Sequence, residues 1–406
     1  MALLFARQPI FDNKNKIYGY ELLYRESDRN AYDGNNGDAA TSSVMAAEFL
    51  STSVSKIAGK RRAFINFTES MLLHQVATLF PKEQIVVEVL EDIEPTEEIV
   101  EACRNLKTAG YTLALDDFVF RPGYEELIKL ADIIKVDFML TKTEYDRKNI
   151  VRQFGNGKIK FLAEKVESYE EVSMAARAGY SLFQGYYFSK PVITSFKGIP
   201  PAKMNHINLI KLLEDENFKF ADISEIIEKD VAFSYEILRI ANSSYYYRGH
   251  RVVSVRQAAI RMGLDELKKW AFITVLRKVG EESQDEIVNL CVQRAKTLEL
   301  LCRKLGMNER RTEFFTLGMF SMIDVLAGCP MELLLPELPI SEEAKRILAG
   351  DFDEDRMSVC YKLTLLYEKG EWTQIFEYAD RYAINIEDVS EAYFEAAVWG
   401  KSLELN

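Results

Sequence analysis

The sequence predicts an α/β barrel of the (β/α)8, TIM-like type, followed by an all-α region. Three observations carry this. Through residues 2–190, short continuous apolar runs alternate with segments of helical periodicity. Continuous apolar runs of strand length read as parallel strands buried on both faces. Each of these runs then ends in an acid, an amide or a lysine, where a barrel enzyme builds its site. Past residue 203 the strand-like runs stop and only helical spacing remains. A doubly wound open sheet is the second architecture that alternating strands and helices allow.

The strand candidates, in order, are 3–8, 16–24, 62–67, 84–90, 111–116, 132–137, 158–164 and 181–188. Helical patterns at 38–58, 95–108, 123–131, 143–153 and 168–178 lie between them. The informative endings are Gly19-Tyr20-Glu21, Phe64-Ile65-Asn66, Val86-Val87-Glu88, Leu115-Asp116-Asp117, Lys135-Val136-Asp137 and Leu162-Ala163-Glu164. A core strand gains nothing by burying a carboxylate at its tip, because an unpaired buried charge is costly. Repeated six times, the pattern points to one converging pocket that holds cations. Singly, Glu21 reads as a solvated loop residue, Lys135 as a surface lysine, Asp137 as a helix N-cap and Asp116-Asp117 as a turn. Their order and spacing favour the shared pocket.

The 406 residues suffice for two cores, expected at 1–195 and 196–406. Between them, Lys190 to Pro201 carries three of the ten prolines and no helical periodicity, as a linker does. No run approaches the roughly 20 apolar residues of a membrane span, and the apolar N-terminal patch is too short for a signal peptide. A cytoplasmic protein without membrane association is therefore expected. The net charge of −12 argues against binding long nucleic acid. It does not exclude a small anionic substrate, because bound cations reverse the local sign within a pocket. The five scattered cysteines, with no Cys-x-x-Cys pair, read as reduced and buried thiols.

In the second half, Ile207, Ile210 and Leu213, then Ile223, Ile226 and Ile227, keep helical spacing. Asp222 and Ser254 read as N-caps and Gly263 as a C-cap. Asn242, in Leu238-Arg239-Ile240-Ala241-Asn242-Ser243, reads as a side chain satisfying neighbouring backbone groups. Tyr245-Tyr246-Tyr247 reads as a loop packed on the core, or as part of a partner-binding surface.

The string Gly19-Tyr20-Glu21-Leu22-Leu23-Tyr24-Arg25, preceded by Gln8-Pro9-Ile10, resembles the opening signature of EAL domains, the phosphodiesterases that cut cyclic di-GMP. Further elements follow in that family's order: Asn66, Glu88-Val89-Leu90-Glu91, Asp116-Asp117-Phe118, Lys135-Val136-Asp137, Ala163-Glu164-Lys165-Val166-Glu167, and Gln184-Gly185-Tyr186 leading to Pro191. The likeness spans residues 3–191. Residues 200–390 resemble HDOD domains, helical output modules that often follow EAL domains, through Ile237 to Ser244 and Ser254 to Gly263. Only His206 and His250 lie in that half and no His-Asp dipeptide exists, so a second metal site is not expected.

The resemblance implies hydrolysis of cyclic di-GMP to linear pGpG with two Mg2+ or Mn2+ ions. Such a reaction needs in-line attack and neutralisation of the phosphate oxygens, which paired divalent cations supply; carboxylate and amide oxygens suit such hard ions. By the same resemblance, Glu21, Asn66, Glu88 and Asp116 hold one cation, and Asp116 bridges to a second that Asp117 also binds. Lys135 orients the water or phosphate, Glu164 is the general base, Glu167 and Gln184 complete the shell, and Leu23 and Arg25 hold the substrate. Glu91 anchors the loop after Asp117, which also implies a homodimer through the barrel. That loop, Val119-Phe120-Arg121-Pro122-Gly123-Tyr124-Glu125-Glu126, departs from the family's Gly-x-Gly-Tyr-Ser-Ser pattern, Leu22 replaces its Ala, and Lys165 replaces a glycine beside the base. The rival expectation is a barrel that binds cyclic di-GMP without turnover and signals through the helical half to a protein partner.

Overall fold

The computed structural model describes residues 3–26, 54, 57–118, 123–155, 157–185, 187, 227, 231–243, 246–280 and 285–402. The expected helix over 38–58 (apart from Val54, Ile57 and Ala58), the linker at 190–201, Asp222 and His206 lie outside these residues, as does most of the early helical spacing of the second half.

Eight strands close into a barrel in sequence order: β1 (Leu3–Asp12), β2 (Ile17–Glu26), β3 (Arg62–Phe67), β4 (Ile85–Val89), β5 (Thr112–Leu115), β6 (Ile133–Asp137), β7 (Lys160–Glu164) and β8 (Leu182–Phe183). The open-sheet alternative is thereby excluded. Helices α1 (Glu69–Leu73), α2 (Glu97–Ala109), α3 (Glu125–Leu130), α4 (Glu144–Phe154) and α5 (Tyr169–Ala178) connect them. Thr68, Thr96, Thr143 and Ser168 cap α1, α2, α4 and α5 by accepting from backbone N–H groups, supplying acceptors for otherwise orphaned donors. Gly110 and Gly179 end α2 and α5 in the left-handed conformation.

One departure from eight βα units lies at the start. β1 runs antiparallel to both β2 and β8, while the remaining neighbours are parallel. Its connection to β2 is a tight turn in which Asp12 Oδ1 accepts from Lys14 N–H (2.8 Å) and Lys16 N–H (2.9 Å). A connection that short leaves no room for a crossover helix, so the pair must form a hairpin.

Inside the barrel, Ile10, Phe64, Val86, Ala114, Ile133, Leu162 and Leu182 form one apolar layer, with Tyr18 packed against it. Each strand thus contributes one side chain. Burying a residue of this kind contributes roughly 1.5–3 kcal/mol relative to exposure. Because side chains two apart share a strand face, this layer also fixes what stands above it.

The chain divides into two compact units. One comprises Met1–Phe188 with Leu366–Ser390, the other Ser189–Leu365 with Glu391–Asn406. The described elements after β8 are all helical: α6 (Val231–Ala241), α7 (Val255–Met262), α8 (Leu264–Val279), α9 (Asp285–Lys304), α10 (Arg311–Phe320), α11 (Ile323–Ala327), α12 (Met331–Leu334), α13 (Glu342–Leu348), α14 (Arg356–Lys369), α15 (Trp372–Arg381) and α16 (Ile386–Ser402), with two short 3-10 turns. Ser254 caps α7 by accepting from Gln257 N–H, and Gly263 ends it. The Asn242 amide donates to Leu238 O and Val252 O and accepts from Val252 N–H, tying the end of α6 to the following segment. Of the tyrosine run, Tyr246 is buried and donates to Glu266, and Tyr247 is exposed. All five cysteines are free and buried. Among the described residues no helix is long and apolar enough to cross a membrane.

Candidate metal centre at the strand ends

Two residues beyond six of the seven members of the apolar layer stands a polar one at the C-terminal end of the barrel. Phe64 leads to Asn66, Val86 to Glu88, Ala114 to Asp116, Ile133 to Lys135, Leu162 to Glu164 and Leu182 to Gln184. The two-residue strand period therefore lifts all six onto one level at the C-terminal end of the barrel. β1 runs the other way, so its contribution is the residue two before Ile10, which is Gln8. Glu21 lies opposite Gln8 in the β1–β2 register.

Lys135 occupies the middle. Its Nζ lies 2.6 Å from Glu88 Oε1, 2.7 Å from Asp116 Oδ1, 3.0 Å from Glu164 Oε1 and 3.4 Å from Glu21 Oε1. Lys135 and Glu88 have no exposed surface, and Glu21, Glu164 and Gln184 are buried. Gln184 Nε2 donates to Glu21 Oε2 (2.5 Å) and to Gln8 Oε1 (3.0 Å). Asp116, Asp117 and Glu164 can each turn one oxygen into a common space within 4.8 Å of one another.

One ammonium faces four carboxylates, so the cluster carries surplus negative charge in a site sheltered from water. Burial, opposed by Lys135, pushes the carboxyls of Glu88 and Glu164 well above their ordinary range. Burial and then repulsion from Asp116 raise that of Asp117. For Lys135, burial alone would disfavour the charge, but Glu164, Glu21, Glu88 and Asp116 outweigh it and hold the ammonium well above its usual value.

The oxygens present fit a divalent cation. Asn66 Oδ1, Glu88 Oε2, Glu164 Oε2 and Gln184 Oε1 are buried without a hydrogen-bond donor, and Glu88 Oε1 meets the Lys135 ammonium. Buried acceptors normally find one, and a hard cation takes oxygen ligands of this type.

Local backbone supports the arrangement. Asp117 adopts φ +37°, with its N–H donating to Asp116 Oδ1 (3.0 Å); Asp tolerates the left-handed region better than most residues. Lys165, at φ +55°, reaches Asp137 Oδ2 at 2.5 Å and Asp117 Oδ2 at 3.8 Å. Asp137 accepts from Met139 and Leu140 N–H, and so caps the turn after β6, while Thr143 caps α4. Glu167 is exposed, with its N–H donating to Glu171. Glu91 is exposed as well, and its carbonyl accepts from Tyr124 Oη at 3.2 Å. Leu23 is half-buried on β2; the Arg25 side chain and residues 119–122 lie outside the described parts. Gln8 is the site residue that sequence reasoning did not single out. Its signal was the hairpin, which reverses the direction of β1 and so puts the site residue two before Ile10 instead of two after.

A closed barrel with acceptor oxygens gathered at its strand ends defines a TIM-type barrel with a candidate metal centre. Comparison with known proteins narrows this. The EAL domain family matches residues 39–191 and the HDOD domain family residues 199–332. An uncharacterized protein, YuxH, of Bacillus subtilis is 36% identical over 99% of both chains. The cyclic di-GMP phosphodiesterase CdgJ of Vibrio cholerae is 31% identical, over 98% of this chain and 92% of that protein. A solved standalone EAL protein of Vibrio cholerae O395, in a c-di-GMP-bound form, is 28% identical with a TM-score of 0.38, covering 49% of this chain and 94% of the other. The chain belongs to the family that joins an EAL domain to an HDOD domain.

Proposed function

We propose that the barrel is a metal-dependent phosphodiesterase that opens cyclic di-GMP to linear pGpG. The observation that carries this reading is the excess of buried oxygen acceptors around Lys135, in a chain that aligns along nearly its whole length with a cyclic di-GMP phosphodiesterase. Glu21, Asn66, Glu88, Asp116 and Asp117, with Glu167 at the rim, would hold Mg2+ or Mn2+. When bound, such cations neutralise the phosphate oxygens and lower the pKa of an attacking water.

The chain's own residues supply the rest. Glu164, buried with one oxygen against Lys135 and the other without a donor, takes the proton from the attacking water. Burial, which raises the Glu164 carboxyl above its ordinary range, suits a base that works near neutral pH. The Lys135 ammonium stabilises the negative charge that develops on the phosphoryl oxygens. Leu23 and Arg25 would receive the substrate on β2, and Gln184 steadies Glu21.

The altered loop after Asp117 favours a second reading, a barrel that binds cyclic di-GMP without cutting it. Incubating the purified chain with cyclic di-GMP and Mg2+ or Mn2+, beside Glu164→Ala, separates the two. Linear pGpG from the wild type and not from the variant supports the enzyme. Binding without product supports the sensor. Neither binding nor product defeats both.

A further inference from the structure

Residues 366–390 lie beyond both family matches, yet belong to the same compact unit as the barrel. Where they meet it is specific. Among the described residues β1 pairs with β8 through Phe11 and Asp12, and higher on the strand Phe5 N–H donates to the hydroxyl of Tyr367, which is fully buried (3.2 Å). Lys369 ends α14, and Gly370 turns the chain away at φ +66°. Glu371 N–H closes back on Leu366 O (3.2 Å), which leaves Lys369 O among the last-turn carbonyls that lack an intrahelical donor. Gln8 Nε2 donates to that oxygen at 3.1 Å. Beside it, a Cβ on Gly370 would stand 2.6 Å from Leu23 Cδ1.

A backbone carbonyl only accepts, so it dictates which way the Gln8 amide faces. With Nε2 committed to Lys369 O, Gln8 Oε1 must face Gln184 and can only accept from it. Gln184 Nε2 then meets two acceptors, Gln8 Oε1 and the Glu21 carboxylate, which both demand the same orientation of its amide and leave its buried Oε1 as an open acceptor of the site. Reversing any one amide would set donor against donor or oxygen against oxygen along the relay.

We propose that Leu366–Gly370 is a positioning element of the catalytic unit: through the Lys369 carbonyl it fixes the Gln8 amide, and through Gln8 it orients Gln184 and Glu21 toward the cation. The metal role of Glu21 rests on the function proposed above; the relay itself does not. Partners that orient a ligand from behind are typically worth about 10–100-fold in metal affinity.

The test uses the full chain and Mn2+ alone, read by titration calorimetry and thermal unfolding. Gln8→Ala breaks the relay, Tyr367→Phe loosens the segment from β1, and Gly370→Ala strains the left-handed turn that presents the Lys369 carbonyl and crowds Leu23. Each is expected to weaken Mn2+ binding about tenfold or more. Variants that melt earlier yet bind Mn2+ like the wild type would reduce the segment to a structural brace and overturn the proposal. Should the wild type bind no Mn2+, the metal reading fails, and hydrogen exchange of residues 17–26 and 182–185 decides the relay. Faster exchange in Tyr367→Phe supports it, and unchanged exchange overturns it.

Discussion

Lys135 Nζ sits 2.6 Å from Glu88 Oε1, and neither side chain has any solvent exposure. Three further carboxylates crowd the same ammonium. Removing one partner of a buried pair leaves the other charge uncompensated, at a cost of about 3–5 kcal/mol. Lys135→Met should therefore lower the metal-free unfolding midpoint sharply, and added Mn2+ should restore the variant by more than it stabilises the wild type. A variant as stable as the wild type without metal would mean that the ammonium is not what holds these acids together.

Gly185 explains why glycine follows Gln184. It adopts φ +146°, and a Cβ there would lie 2.2 Å from Val166 O and 2.4 Å from Val166 N. These are backbone atoms fixed by the Val166 N–H to Gln184 O bond at 3.0 Å, so no flexible side chain can yield. Gly185→Ala is expected to cost on the order of 3 kcal/mol from strain and overpacking together. It should also weaken Mn2+ binding, because Gln184 must move with its neighbour. Urea unfolding and titration calorimetry on one preparation check both.

Lys165 places a cation between Asp137 and Asp117, in a left-handed conformation that a lysine adopts reluctantly. Glycine carries no penalty there, and without the ammonium Asp117 is free to bind a metal ion. Lys165→Gly should raise turnover a few-fold and lower the Mn2+ concentration needed for half-maximal rate. Lys165→Ala, which removes the charge but keeps the strain, should do so less. An unchanged or slower Lys165→Gly would show that the lysine does not restrain the site.

Most of the barrel was legible because a buried parallel strand writes itself as an apolar run, and β3 and β6 fall within a residue of where those runs place them. The polar level above the apolar layer was legible for the same reason, since the bland readings that suffice for one tip do not account for an ordered set of six. Two things were not. Nothing in the composition of residues 3–12 distinguishes a strand that runs up the barrel from one that runs down, and only the tight turn at Asp12 decides it; Gln8 was passed over as a result. The return of Leu366–Ser390 to the barrel unit is a contact across more than 350 residues, and the helical spacing of that segment does not encode which surface its face will cover.

The helical unit offers a pH-dependent test apart from the barrel chemistry. Burial pushes the Asp324 carboxyl from 3.8 up to about 6, although the backbone N–H groups of Val325 and Asp324 itself, and then Arg294, pull the other way. A carboxyl whose pKa is higher in the fold holds its proton there while the unfolded chain has released it. Stability from this group is therefore greatest below about pH 4 and declines as the pH rises to about 6, above which the fold carries a partly buried charge. One pKa unit corresponds to about 1.4 kcal/mol, so the deficit at pH 7.5 reaches roughly 3 kcal/mol. Asp324→Asn keeps the shape and an oxygen acceptor but cannot ionise. It should unfold at a higher denaturant concentration than the wild type at pH 7.5 and at a similar one at pH 4. Equal midpoints at both pH values would mean that water or Arg294 compensates the carboxylate fully.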